Sequence, residues 1–361
     1  MISGERALDE GADAPAPRAT VKVAAVRALA PPLVAVLLAF AVTGVLIIAA
    51  GKNPLLAYWS LAQGAFGSWD RIAVGLNRAT PYALTGVGIA LCFRARIINI
   101  GGEGQLALGG LAATWVAIHM VPAPRPVATL LALGGGIVAG AAWAGLAAVI
   151  RLRRGVHEVL ATLLLNFVGL LIVSEALQGD LGEPGSGFPQ SPLLPKASWL
   201  GRLVAGTDLH IGVLIALAVV VIAHVAFWRT PFGFRLRILG ASAPAAAYAG
   251  ISPGRALVSV MVLSGGLAGL AGAIEVLGVH YRLIDGFAHG FGFNAVAIAL
   301  LGGLNPLAVL PAGLFFGFLE TGAVAMQRAV GVPTPLVAVI QGLTMVFVLS
   351  AMGLTAGRRR V

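Results

Sequence analysis

Long apolar runs, separated by short polar segments, dominate the pattern of residues along this chain. Six long stretches contain no Asp, Glu, Lys or Arg, and they cover 28–51, 104–124, 126–150, 209–228, 290–319 and 329–357. Each is long enough to hold a membrane span, which needs about 20 apolar residues. A helix of a soluble protein would carry polar residues at helical spacing on its outer face, and these stretches lack them. The pattern predicts an all-α, polytopic integral membrane protein.

The apolar segments predict about ten transmembrane helices, with about eight as the lower bound. The predicted spans are 29–50, 72–93, 98–121, 126–150, 158–178, 209–228, 256–279, 286–301, 308–327 and 334–354. Two of them are weak, because 72–93 contains Arg78 and 286–301 runs into Leu-Gly-Gly-Leu-Asn-Pro. Broken helices at membrane depth need protein or a water-filled cavity around them. If the chain consists of two related five-helix halves, the two breaks occupy corresponding places, which indicates a transporter pathway.

The distribution of charge orients these spans. Only 11% of the 361 residues are charged, 58% are hydrophobic, and the formal net charge is +10. Basic residues lie in short clusters between spans, which is typical of topology determinants rather than of a nucleic-acid-binding surface. Sixteen of the 24 Lys and Arg residues share one side with both termini, so that side is predicted to be cytoplasmic. We expect a disordered cytoplasmic tail at 1–28, a membrane domain at 29–354 and a basic cytoplasmic tail at 355–361.

The sequence offers little for catalysis or for metal binding. Its single cysteine, Cys92, excludes an internal disulfide and a cysteine-based metal cluster. His157-Glu158 begins like a zinc-protease helix, but Ala161 stands where the second histidine belongs. The only Gly-Lys pair, Gly51-Lys52, lacks the upstream glycine of a phosphate-binding loop. We therefore expect no catalytic residue, metal or cofactor in this chain, and any ATP must bind to another subunit.

One polar segment, 99–105, stands out in apolar surroundings, with the sequence Asn-Ile-Gly-Gly-Glu-Gly-Gln. Glycines let the backbone bend, and the two amides offer both donors and acceptors, which suits a neutral solute rich in hydroxyl or amide groups. The alternative is that Glu103 pairs with Arg94 or Arg96 near the membrane surface. The predicted pathway residues are Asn99, Gly101, Glu103, Gln105, Asn166 and Asn294. The last two are candidates either for the pathway or for hydrogen bonds between helices.

The longest connection on the predicted cytoplasmic side is 229–255. Pro244 favours the start of a helix, the alanines after it favour its continuation, and Gly250 favours its end. A short helix with small side chains and one aromatic ring is suited to a groove in a partner, through which it would pass a rigid-body motion to the spans. The alternative is a solvated basic loop held at an anionic membrane surface. The loop at 179–208, on the opposite side, is too short to be a catalytic domain.

Both segments resemble a known family of transporters. The run 94–105 is similar to the hallmark Phe-Asn-Ile-Gly-x-Glu-Gly-Gln of the nucleoside-uptake branch of the branched-chain amino acid and simple-sugar permease superfamily of ABC importers. Simple-sugar permeases usually carry Gly-Ile-Asp-Leu-Ser-Val-Gly there. The run 157–167 resembles a second motif of that branch, with His157 in place of the usual Asn. The loop at 233–251 is similar to the coupling region of the family.

The resemblance implies the membrane-spanning subunit of an ATP-driven nucleoside importer that works by alternating access in a bacterial inner membrane. It implies three kinds of partner in the bilayer: an ABC ATPase subunit, a second permease chain that is either identical or different, and an extracytoplasmic substrate-binding lipoprotein. Contact with the ATPase is implied for Arg237, Gly240, Ala246, Tyr248 and Gly250. The alternatives are a ribose-type sugar permease of the same superfamily and an ion-coupled secondary transporter of another class.

Overall fold

Thirteen α-helices account for the regular secondary structure of the residues described by a computed structural model, which are 18–119, 123–288, 290–333 and 335–357. The helices are α1 (Arg18–Ala49), α2 (Pro54–Phe66), α3 (Trp69–Arg94), α4 (Gly102–His119), α5 (Arg125–Arg154), α6 (Glu158–Gln178), α7 (Gly212–Arg229), α8 (Pro231–Ala241), α9 (Ala243–Tyr248), α10 (Pro253–Glu275), α11 (Phe291–Leu301), α12 (Pro306–Val330) and α13 (Pro335–Gly357). A π-helical turn, Val276–His280, continues α10. Isolated β-bridges, but no strands, occur in these ranges.

Several helices are long and apolar enough to cross a bilayer. Within the described residues, five meet both criteria: Arg125–Arg154, Glu158–Gln178, Gly212–Arg229, Pro253–His280 and Pro306–Val330. Shorter apolar helices at Val34–Ala49, Phe291–Leu301 and Pro335–Val348 accompany them. This architecture confirms the predicted all-α, polytopic membrane protein.

The helix boundaries depart from the predicted spans where the sequence is least regular. Helix α4 begins at Gly102 rather than 98, and α11 has only 11 residues, which is too short to cross a bilayer alone. Helix α2 was not predicted as a separate element, and it begins where Asn53 Oδ1 accepts a hydrogen bond from Leu55 N at 2.9 Å. Helix α8 occupies a segment that was predicted as loop.

The predicted terminal tails are only partly described. Helix α1 begins at Arg18, upstream of the predicted span start at 29. Residues 1–17 and 358–361 lie outside the described residues. The division of the chain into two tails and a membrane domain therefore stays a prediction.

Helix α10 runs through the centre of the bundle and packs against α5, α4 and α3 through glycines. A Cβ placed on Gly140 of α5 would lie 2.7 Å from the Cα of Gly269, so the two backbones touch. In the same way, a Cβ on Gly317 of α12 would lie 2.7 Å from the nitrogen of Ala79 in α3. Small residues at these places allow close helix packing, as their spacing predicted.

The long loop between α6 and α7 folds over the connection between α10 and α11. Ser191 N donates to Leu283 O at 2.8 Å, and Leu194 N donates to Tyr281 O at 2.9 Å. The indole of Trp199 lies on the Tyr281 ring, with 4.2 Å between ring centroids. The end of the molecule opposite α8 and α9 is therefore closed by a loop that is hydrogen-bonded to the bundle.

Candidate transport pathway

The chain turns back into the bundle after α3. This helix ends at Arg94, residues 97–100 carry no regular structure, and α4 begins at Gly102. A Cβ on Gly102 would lie 2.9 Å from Cγ2 of Thr85, nine residues before Arg94 in α3. At a rise of about 1.5 Å per residue, α4 therefore begins about 13 Å inside the end of α3. The predicted interruption lies at membrane depth, where the surrounding protein must satisfy its polar groups.

Two side-chain amides hold this interruption together. Asn99 and Gln105 form a reciprocal pair, since Asn99 Nδ2 donates to Gln105 Oε1 and Gln105 Nε2 donates to Asn99 Oδ1, each at 3.1 Å. Asn99 Nδ2 also donates to Ser264 Oγ of α10 at 3.0 Å, and Asn99 Oδ1 accepts from Gly101 N at 2.9 Å. Both amides are buried, and the partners belong to the chain itself.

Helix α6 contributes a third amide to this segment. Asn166 Oδ1 accepts from Gly104 N at 2.9 Å, and its Nδ2 donates to Ile100 O at 2.8 Å. A Cβ on Gly104 would lie 2.9 Å from the Cα of Asn166, so the two backbones are in contact. Asn166 thus pairs with backbone groups that the interrupted helix leaves unpaired, which is the hydrogen-bonding alternative for this residue.

Glu103 joins the starts of two helices. Its carboxylate, 1% exposed, accepts from Gly290 N at 2.6 Å, from Gly292 N at 2.7 Å and from Phe293 N at 3.3 Å. These amides form the first turn of α11, whose N-terminal partial charge favours an anion. The two predicted interruptions therefore meet in space at Glu103.

Arg94, the alternative partner considered for Glu103, contacts the opposite end of α11. Its Nε donates to Leu304 O at 3.0 Å and its Nη2 to Gly303 O at 3.1 Å, both in the turn after α11. The guanidinium also lies 6.0 Å from the ring centroid of Phe227 and 5.9 Å from that of Trp228. Arg94 therefore ties the end of α3 to the turn after α11 and to the end of α7.

Asn294 belongs to a second polar group on the other side of the α11 start. Its Nδ2 donates to the hydroxyl of Tyr82 at 3.2 Å, and that hydroxyl donates to Glu320 Oε1. Glu320 also faces Arg78 at 3.5 Å and accepts from Gln341 Nε2 at 3.4 Å. This group connects α3, α11, α12 and α13.

A polar cavity of about 470 Å³ lies beside this second group. Its walls come from α3, the π-helical turn, the connection at 281–287, and Glu320 of α12. The lining residues are Val74, Asn77, Arg78, Asp208, Glu275, Gly278, Val279, His280, Tyr281, Ile284, Asp285, Gly286, Phe287, Phe291 and Glu320. Glu275 is 4% exposed and its Oε1 lies 3.4 Å from His280 Nε2 across the π-helical turn. Such turns are frequent at functional sites.

The segment predicted to couple the spans to a partner forms two helices. The predicted short helix is confirmed: α9 follows Ser242, whose Oγ accepts from Ala245 N at 3.3 Å, and Gly250 after it has a φ of +74°. The Tyr248 side chain is 98% exposed, whereas Ala246 is buried. Arg237 of α8 donates to Phe227 O and lies 5.1 Å from the ring centroid of Trp228. A Cβ on Gly240 would overlap the carbonyl oxygen of Arg94.

The sequence matches the family described as "Branched-chain amino acid transport system / permease component" over residues 71–349. The chain belongs to this permease family. It is 37% identical to the glucose ABC transporter permease protein TsgB13 of Haloferax volcanii, over 93% of this chain and 90% of the relative. It is 33% identical to the guanosine ABC transporter permease protein NupP of Bacillus subtilis, over 89% of this chain and 92% of that protein.

A third relative is the nucleoside ABC transporter permease protein NupB of Lactococcus lactis subsp. cremoris, with 31% identity over 88% of this chain and 89% of the relative. No solved structure gives a significant match. These findings confirm the predicted family and a multi-pass membrane protein, and the relatives are named as transport permeases rather than enzymes.

The predicted pathway residues of the permease fall into two places. Asn99, Gly101, Glu103, Gln105 and Asn166 form the buried cluster at the starts of α4 and α11, and Asn294 lies under the cavity. None of the six lines the cavity, and their part in solute passage stays a prediction. Glu275, Glu320 and Arg78 were visible as polar residues in apolar runs. His280, Asp285 and Asp208 were missed, because polar residues in loops give no signal of their own.

Proposed function

We propose that this permease is the membrane-spanning subunit of an ATP-driven ABC importer that carries nucleosides by alternating access. The observation that carries the proposal is the polar cavity beside the meeting point of two helix starts, in a chain of an ABC permease family. Transporter sites commonly lie where broken helices meet near mid-membrane. Two of the three relatives compared above are named for nucleoside or guanosine transport.

The chemistry of the cavity supports a nucleoside as cargo. Its volume of about 470 Å³ lies in the range of small-molecule sites, roughly 300–1,000 Å³. Tyr281, Phe287 and Phe291 contribute aromatic surface on which a flat base can pack. Asn77, Glu275 and Glu320 contribute carboxylate and amide groups that suit hydroxyl and amine donors.

Coupling to ATP is assigned to the end that carries α8 and α9, which we place in the cytoplasm of a bacterium together with both termini. Tyr248 projects fully from α9 and would enter a groove of the ATPase subunit. Movement of α8 would act on Arg94, whose carbonyl oxygen touches Gly240. Arg94 in turn holds the turn after α11, so the motion would reach the helix whose start borders the cavity.

The second permease chain would cover an outward-facing polar groove of about 640 Å³ on α2, α3 and α12. Gln63, Arg71 and Arg328 line this groove, and charged groups facing lipid are costly. Arg78 lines both the groove and the cavity, so the solute path would run along the contact between the two chains. The lipoprotein would deliver solute to the opposite end from α8 and α9, at the loop between α6 and α7.

Uptake by reconstituted protein tests the proposal. The permease with its cognate ATPase, second permease and lipoprotein is placed in proteoliposomes, and labelled guanosine, adenosine, ribose and glucose are offered with and without ATP. ATP-dependent accumulation of the nucleosides, with no competition by the sugars, is the expected result. Accumulation by the permease chain alone on a proton or sodium gradient would contradict it and would indicate a secondary transporter.

A sugar permease is the second candidate, and one observation favours it. The relative with 37% identity is named as a glucose permease. If ribose or glucose accumulates and nucleosides do not compete, the cargo is a sugar while the ATP-driven mechanism stands.

A further inference from the structure

Two buried polar atoms beside the cavity have no hydrogen-bond partner within the described part of the chain. They are Oε2 of Glu275 and Nε2 of His210, the latter in the loop just before α7. A buried polar atom without a partner costs about 1–3 kcal/mol, so native proteins rarely keep one without a reason. Neither atom takes part in the contacts that hold α4, α10 and α11 together.

The two atoms are complementary, because one accepts a hydrogen bond and the other donates. Gly212 N donates to His210 Nδ1 at 3.1 Å, so the proton of a neutral imidazole lies on Nε2. Burial lowers the pKa of His210, which favours the neutral form, and the nearby Glu275 carboxylate opposes this shift. Glu275 Oε1 faces His280 Nε2, which leaves Oε2 as the acceptor.

Gly278 lies where these two residues meet the cavity. It belongs to the π-helical turn after Glu275, it lines the cavity, and a Cβ on it would lie 3.0 Å from the His210 ring. A hydroxyl group that enters here would meet an acceptor on one side and a donor on the other.

We infer that Glu275 and His210 form a subsite for a vicinal diol of the solute, with Glu275 Oε2 accepting from one hydroxyl and His210 Nε2–H donating to its neighbour. The inference rests on the proposed function, and in a nucleoside the diol is that of the ribose 2′ and 3′ positions. A free sugar carries the same chemistry, so the experiment must separate the two sources.

The test compares uptake of labelled guanosine and of labelled 2′,3′-dideoxyguanosine by the complete transporter in proteoliposomes, at saturating solute and lipoprotein. Each hydrogen bond to a charged group contributes enough to change a rate about tenfold or more. We expect the wild type to prefer guanosine by at least about tenfold, and Glu275→Gln to bring this ratio close to one. The lipoprotein is the same in both cases, so a changed ratio belongs to the permease.

Glu175→Gln is the matched control, because Glu175 is exposed and does not line this cavity. Its uptake ratio should equal that of the wild type. If Glu275→Gln does not assemble, His210→Phe gives a second variant that removes only the donor. Ribose offered in parallel separates the sources, since ribose uptake that is equally sensitive to Glu275→Gln means that the diol of a sugar is bound.

The outcomes separate the two proposals. Equal uptake of guanosine and its dideoxy analogue by the wild type overturns the subsite and leaves the nucleoside importer standing, as does an unchanged ratio in assembled Glu275→Gln. A wild type that moves neither nucleosides nor sugars with ATP overturns the proposed function and the subsite with it.

Discussion

Gly240 of α8 lies directly against the carbonyl oxygen of Arg94, the last residue of α3. A Cβ at position 240 would occupy the space of that oxygen, so only glycine permits this approach. The contact links the exposed pair of helices α8 and α9 to the residue that holds the turn after α11. The segment expected to receive force is therefore joined to the helix that borders the cavity.

Replacing Gly240 by alanine should separate α8 from α3. Alanine normally stabilises a helix by up to about 1 kcal/mol over glycine, but overpacking against backbone costs about 1–3 kcal/mol. We expect a lower melting temperature of the purified permease and less solute moved per ATP in proteoliposomes. Gly134→Ala in α5 is the control, since nothing lies within 4 Å of a Cβ there. An unchanged transport ratio in Gly240→Ala would remove α8 from the coupling route.

Replacing Arg94 by lysine should loosen the turn after α11 while keeping the charge. A lysine ammonium cannot reproduce the fork by which the guanidinium reaches the Leu304 and Gly303 carbonyls together. Losing one such bond should cost about 1.5 kcal/mol or more. We expect faster amide hydrogen exchange at residues 302–305. Arg96→Lys is the control at an exposed position, and equal exchange in the two variants would contradict the role of Arg94.

Tyr248→Ala should weaken binding of the ATPase subunit without destabilising the permease. The ring is 98% exposed, so its removal takes away little packing within this chain. An aromatic anchor at an interface commonly contributes about 2 kcal/mol, which corresponds to about 30-fold in affinity. Affinity can be measured between the detergent-solubilised permease and the ATPase. Trp69→Ala, equally exposed at the start of α3, should bind normally, and full affinity in Tyr248→Ala would move the contact elsewhere.

The membrane architecture follows from the sequence because each span must be apolar over nearly its whole length. The runs 126–150, 209–228 and 308–327 lie within helices α5, α7 and α12 apart from one to three residues at the start of the second. The short helix α9 was predicted because Pro244 and Gly250 restrict the backbone locally. Signals of this kind need no knowledge of distant contacts.

The pairing of distant residues did not follow from the sequence. The motif at 99–105 was correctly recognised as polar and interrupted, yet Glu103 receives amides from residues 290–293, far along the chain. Ala246 was assigned to a partner interface and is instead buried, while Tyr248 is the exposed residue of α9. Composition gives the polarity of a position, but only tertiary packing decides which group it meets.

Glu103→Gln separates two roles for the residue that joins α4 and α11. A glutamine offers one acceptor oxygen, and its amide protons would face the N–H groups of Gly290, Gly292 and Phe293, so the start of α11 should lose about 1–3 kcal/mol. We expect faster amide hydrogen exchange at residues 290–293 and slower uptake, with partial recovery in Glu103→Asp, which keeps the negative charge beside the helix start. Glu175→Gln should change neither quantity. If exchange at 290–293 stays the same while the KM for nucleoside rises, Glu103 contacts the solute itself, as the motif predicted. If exchange increases and the KM stays the same, the carboxylate serves to position the helix that borders the cavity.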